Sequence, residues 1–133
     1  MKKDELRDSN MYVSIEVVND TEYTLSLTSS SCSSGGFTQG PPATILPNSN
    51  TTIRAQGTGG TWTGVNPSWT YELEGTNVTI EWINDIPFDG NNSGSVNVND
   101  SSGPEISVVT NNQMPRSGDT YVATTTISLV NND

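Results

Sequence analysis

The chain has 133 residues, one domain's worth and enough to bury a hydrophobic core without metal or disulfide support. Fifteen acidic residues against five basic ones give a net charge of −10, a field that repels phosphate and excludes nucleic acid as a partner class. There is no histidine and a single cysteine, Cys32, which excludes Ser-His and Cys-His nucleophile pairs, a histidine zinc site and an internal disulfide.

Residues 1–10 (MKKDELRDSN) are charged and lack apolar periodicity, so they are expected to form a flexible, solvated N-terminal arm, with 11–133 as one β-sandwich domain. No apolar run follows Lys2 and Lys3, so no cleaved signal peptide is expected. From Tyr12 the pattern alternates with period two. Val13, Ile15 and Val17 share one face, as do Tyr23, Leu25 and Leu27, and the Asn19–Asp20 turn between the runs predicts a hairpin. Residues 29–42 read as a long polar loop holding Phe37. ATIL (43–46) and TTIRAQ (51–56) read as short strands. GTGGTWTG is expected to be flexible around Trp62.

Trp69, Tyr71 and Leu73 alternate with Glu72 and Glu74, and Val78, Ile80 and Trp82 alternate with Thr79, Glu81 and Ile83, which marks the two best strands. The glutamates of these strands face solvent in this pattern and make a poor glycosidase pair. DIPFDGNNSG (85–94) must be a loop. Its Asp85, Asp89, Asn91 and Asn92, with Asp100, are oxygen ligands, but turn chemistry accounts for them without calcium, and no metal or other cofactor is expected. Short strands follow at SVNVN and 104–110, then a second long loop at 111–119, and residues 120–130 close the domain with β-branched side chains. About ten strands and no convincing helix predict an all-β, antiparallel two-sheet β-sandwich.

Trp62, Phe37 and Phe88 lie in polar, glycine-bearing loops where core packing does not require them, and they are the candidates for lipid contact, with Trp69 a weaker one. Such side chains suit a membrane interface and a sugar platform alike, so a carbohydrate-binding module remains the alternative reading. An enzyme is the least favoured class.

The segments VSIEVVNDTEYTLSL (13–27), GGF (35–37), GTWTGVNPSWTYEL (60–73) and above all NVTIEWINDIPFDGNN (77–92) resemble the aegerolysin family, and within it the small component of bacterial binary insecticidal toxins. In the last segment Asp85, Pro87 and Phe88 match an Asp-x-Pro-aromatic motif that precedes a Gly/Asn loop. The resemblance runs from about residue 12 to the C-terminus. It implies an actinoporin-like sandwich that binds a zwitterionic lipid or a specific lipid assembly, with Asp85, Pro87 and Phe88 in the lipid-binding region. It implies a larger pore-forming protein partner, with homo-oligomers open. It also implies synthesis in the cytoplasm or an inclusion and action at a target-cell membrane. Several lipid-binding relatives have Trp where this chain has Phe88.

Overall fold

The computed structural model describes residues 7–130. Ten strands form two five-stranded sheets. The strands are β1 (Tyr12–Asp20), β2 (Leu25–Cys32), β3 (Gly36–Gln39), β4 (Thr44–Ile45), β5 (Ser49–Gln56), β6 (Pro67–Leu73), β7 (Thr79–Asp85), β8 (Ser93–Asn99), β9 (Ile106–Thr110) and β10 (Thr120–Leu129). One sheet has the order β3-β5-β1-β10-β9 and the other β4-β2-β6-β7-β8. All pairings are antiparallel except that of β1 with β10, so the first and last strands among the described residues lie side by side within one sheet. The expected two-sheet sandwich is what forms.

Alternation builds the core. Val13, Ile15 and Val17 of β1 and Tyr121, Ala123, Thr125 and Ile127 of β10 point inward, against Trp69, Tyr71, Leu73, Ile80 and Trp82 of the facing sheet. The aromatic rings form a ladder. Trp69 stacks on Trp82 with centroids 5.7 Å apart, and Tyr71 meets Trp82 edge-on at 6.1 Å. Each such pair adds about 0.5–1.5 kcal/mol beyond its buried area. The Trp82 indole N–H donates to Thr125 Oγ1 at 3.2 Å, which ties the sheets together through the core.

The predicted hairpin over β1 and β2 does not form: the two strands lie in different sheets. A hairpin would put Val13, Ile15, Val17 and Leu25 on one surface, whereas a crossing connection sets them face to face. Asn19 builds the corner. It is buried, its Nδ2 donates to the carbonyls of Tyr23, Ile45 and Leu46, and its Oδ1 accepts from Thr21 Oγ1. The expected loop at 29–42 is also mostly strand. After a register shift between Leu27 and Ser29, β2 continues along β6 to Cys32, and β3 pairs with β5. From Thr28 to Ser31 the side chains are exposed and polar while the backbone still pairs, and Cys32 returns to the margin of the core.

Candidate functional site

At one end of the sandwich, segments 57–66, 86–92 and 111–119 meet the helical turn at residues 7–9, and segment 32–36 joins them through the hydrogen bonds of Ser33 and Ser34 with Asn66. Of the segment expected to be a solvated arm, residues 1–6 lie outside the described residues. Residues 7–10 are packed against this end instead. Asp8 is fully buried, and its carboxylate accepts hydrogen bonds from the backbone N–H of Trp62 at 2.6 Å and of Gly64 at 3.1 Å. Gln56 Nε2 donates to the Ser9 carbonyl, and Met11 begins the core. Glycines make the close approach possible: a Cβ on Gly57 would fall 2.2 Å from the Asp8 carbonyl oxygen, and one on Gly64 2.0 Å from that of Ile86. The loop expected to be flexible around Trp62 is therefore held at its centre.

Trp62 is 51% exposed. Its backbone sits at φ +60°, the left-handed region that disfavours a bulky side chain by about 1 kcal/mol or more. Gly59, Gly60 and Gly64 stand in the same loop, so the sequence places tryptophan where glycine would be less strained. Trp62 rests on Phe88, with centroids 5.2 Å apart and planes tilted by 46°. The Arg7 guanidinium covers Phe88 at 4.6 Å from its centroid and binds both Asp119 carboxylate oxygens at 3.0–3.2 Å. This end therefore presents one indole on a platform of Phe88, Arg7 and Asp119.

The other candidate residues separate. Phe88 is only 7% exposed, so it supports Trp62 rather than facing outward. Phe37 is half-buried and meets Trp69 edge-on at 6.4 Å, at the margin of the core. Trp69 is 1% exposed, and lipid contact by it is ruled out in this fold, because its β6 position faces inward onto Trp82. Its indole nitrogen has no hydrogen-bond partner among the described residues. Pro87 is half-buried, and the backbone on either side of it closes over Gly64. Asp85 ends β7 opposite Ser93. In the sequence Asp8 and Arg7 read only as charges of the leader, because the partners that give them their roles lie 54 and 112 positions away.

The oxygen ligands at 85–100 do not converge. Asp85 and Asn99 mark opposite ends of the β7–β8 pairing, Asn92 Nδ2 donates to the Gly118 carbonyl, and Asp100 caps the Ile106 N–H. Among the described residues no three His, Cys, Asp or Glu side chains gather as a metal site. Burial pushes the Cys32 thiol above its ordinary value, partly offset by a backbone hydrogen bond from Asn66, so it is held as the thiol, and it donates to the Ser34 carbonyl. Burial likewise raises Tyr71, whose hydroxyl donates to the Pro42 carbonyl at 2.7 Å. Glu72 and Glu81 stay on the outer face, opposite Thr79 and Thr70.

Charge is divided unevenly along the long axis. Arg7 and Arg116 lie in the segments of the Trp62 end, together with Asp8, Asp89 and Asp119. Asp20, Glu22, Glu74, Asp100 and Glu105 lie at the other end, where no lysine or arginine stands among the described residues.

No family model matches the chain and no curated protein matches it. Solved structures do. The chain is similar to IP-1A from Alcaligenes faecalis, with a TM-score of 0.79 and 16% identity over 99% of this chain and 100% of the other. It is also similar to the RahU protein, solved in complex with a Tris molecule, with a TM-score of 0.67 and 14% identity over 94% of this chain and 99% of that one. A third match is the lipid-binding protein Nakanori, with a TM-score of 0.67 and 14% identity over 95% of this chain and 79% of Nakanori. At these identities the likeness is one of fold: the chain has the sandwich that IP-1A, RahU and Nakanori share.

Proposed function

We propose that this chain is a non-catalytic membrane-lipid-binding protein that meets the bilayer with its Trp62 end. The observation that carries the reading is Trp62 itself: a half-exposed indole, held in a strained backbone conformation by a buried carboxylate. Strain of this kind persists where the surroundings over-determine it, and such positions cluster at ligand-contacting loops. An indole also suits the interface, with an apolar body and a polar N–H. The fold shared with a lipid-binding protein supports the same reading. So does the charge distribution, which keeps the wholly acidic end away from a membrane surface.

One tryptophan contributes about 2–3 kcal/mol on entering an apolar phase, too little for stable anchoring alone. Binding therefore draws on a headgroup contact or on several copies acting together. The aegerolysin resemblance extends the proposal to a two-component toxin in which this subunit supplies the address and a larger protein perforates the membrane. Among the described residues no helix is long and apolar enough to cross a bilayer, which fits that division of labour. The test is co-sedimentation with phosphatidylcholine vesicles, with and without sphingolipid, using the wild type and Trp62→Gly. The wild type should bind and the variant should lose most binding at a melting temperature no lower than that of the wild type. Equal binding by both would reject the Trp62 end as the contact.

A further inference from the structure

Where the edge strands β8 and β9 leave the two sheets unjoined, a groove of about 530 Å³ runs inward beside segment 111–119. That volume is in the range of small-ligand sites. Asn84, on β7, is 4% exposed and lines the groove. Its Nδ2 makes one long bond, 3.4 Å, to the Pro67 carbonyl, and its Oδ1 accepts no hydrogen bond from the described residues. The oxygen is therefore an acceptor with no donor among the described residues, on a residue that is otherwise buried, and it is open to a donor that enters the groove. Gly94 on the paired strand leaves the oxygen accessible: a Cβ there would stand 3.4 Å from Asn84 Oδ1 and 3.0 Å from the Met114 Cβ.

The rest of the wall is uncharged. Thr125 Oγ1, already bonded to the Trp82 indole, shares a 3.1 Å hydrogen bond with Thr110 Oγ1, which opens on the groove. The Tyr121 hydroxyl donates to the Asn112 carbonyl, so its ring is fixed against the cavity. Met114 covers one side, and Gln113 stands exposed at the rim. Among the described residues, no lysine or arginine lines the groove for a phosphate, and no carboxylate or aromatic cage for an ammonium group. Amides and hydroxyls around an aromatic face and a thioether match a ligand with hydroxyls at its rim and C–H bonds on its face.

We propose that this groove binds a neutral hexosyl ring, with Asn84 Oδ1 accepting from a sugar hydroxyl and the ring lying against Tyr121 and Met114. The sugar could belong to a glycolipid headgroup or to a soluble glycan, and the chemistry is the same. The site is separate from Trp62 and needs no membrane, so its failure is distinguishable from failure of the lipid reading.

The experiment is a nuclear magnetic resonance titration of the intact chain with methyl β-glucopyranoside and methyl β-galactopyranoside. A parallel arm uses phosphatidylcholine vesicles with and without monohexosylceramide. Saturable shifts at the Asn84 side-chain amide, the Gly94 amide and the Trp82 indole N–H, with a midpoint on the order of 1 mM, are expected. Gln113→Trp should fill the mouth from an exposed position and abolish the shifts. Asn84→Ala should weaken binding about tenfold, the scale of one buried hydrogen bond. Soluble-sugar binding supports a glycan source. Binding only to hexosylceramide vesicles, lost in Gln113→Trp, supports a headgroup. Absence of binding in both arms, or binding that Gln113→Trp leaves intact, overturns the proposal.

Discussion

Asp8→Ala is the perturbation that bears most on how the Trp62 end is built. The carboxylate accepts two backbone hydrogen bonds, from Trp62 at 2.6 Å and Gly64 at 3.1 Å, and is wholly buried. A hydrogen bond to a charged group is worth about 1.5–3 kcal/mol net. The Gly64 bond is buried and should be lost in full, whereas the Trp62 N–H lies at an exposed loop and can recover water. The expected cost is about 3 kcal/mol, or roughly 10 °C in melting temperature for a domain of this size. Strain should be coupled to that loss. With Asp8 present, Trp62→Gly relieves the left-handed backbone and should stabilise by about 1 kcal/mol. With Asp8 removed, the loop relaxes and the same substitution should gain nothing. Urea unfolding of the two single variants and the double variant closes the cycle. A coupling energy near 1 kcal/mol is predicted. Additivity within about 0.3 kcal/mol, or an Asp8→Ala variant as stable as the wild type, would refute the clamp.

Trp69→Ala should destabilise by about 3–5 kcal/mol, in contrast to any change at Trp62, because it removes a ring stacked at the centre of the core; denaturant titration separates the two tryptophans. Raising pH should weaken the fold. Burial lifts the folded-state Tyr71 and Tyr121 above the ordinary value of 10, so stability is full below that value and falls as the unfolded chain loses protons that the folded chain retains. For Tyr71, the more strongly shifted of the two, the slope approaches about 1.4 kcal/mol per pH unit once the unfolded chain has lost its proton, and Tyr71→Phe should make the alkaline decline shallower in melting scans. Vesicle binding should not require anionic lipid. Exchanging phosphatidylcholine for phosphatidylserine should not strengthen it, and 1 M salt, where the screening length is about 3 Å, should leave it unchanged or stronger. A requirement for phosphatidylserine that salt abolishes would contradict the charge argument. Dye release by the chain alone should be weak at surface saturation; efficient release would place pore formation in this chain.

The sandwich was legible because burial writes itself into sequence as alternation. Val13, Ile15 and Val17, and Val78, Ile80 and Trp82, identified their inward faces directly. Pairing was less legible than burial. The serine-rich end of β2 pairs with β6 beyond the core, where no apolar period is needed, and the β1–β2 corner differs from a hairpin only through the long-range bonds of Asn19. Of the candidate site, Trp62 stood out as a large apolar residue in a glycine-rich loop. Phe88 did so too, but its role as a support depends on Arg7 and Trp62, which arrive from distant segments. Asp8 looked like one charge among several in a solvated leader. Only the tertiary fold brings it under the Trp62 loop. The groove beside Asn84 was invisible for a related reason: asparagine in a strand reads as an ordinary polar residue until the sheet edges leave it buried and half-satisfied.

The most direct test of the central claim is the depth of Trp62 in a bilayer. Fluorescence of the wild type and of Trp62→Phe can be measured on phosphatidylcholine vesicles, with sphingolipid if binding requires it, carrying bromine at defined acyl positions. Trp69 and Trp82 are buried and should contribute an unquenched background in both proteins. Wild-type emission should be quenched most strongly by bromine near the headgroup, and Trp62→Phe should show almost no quenching under conditions where it remains bound. Equal quenching of the two proteins would place another surface on the membrane and contradict the account.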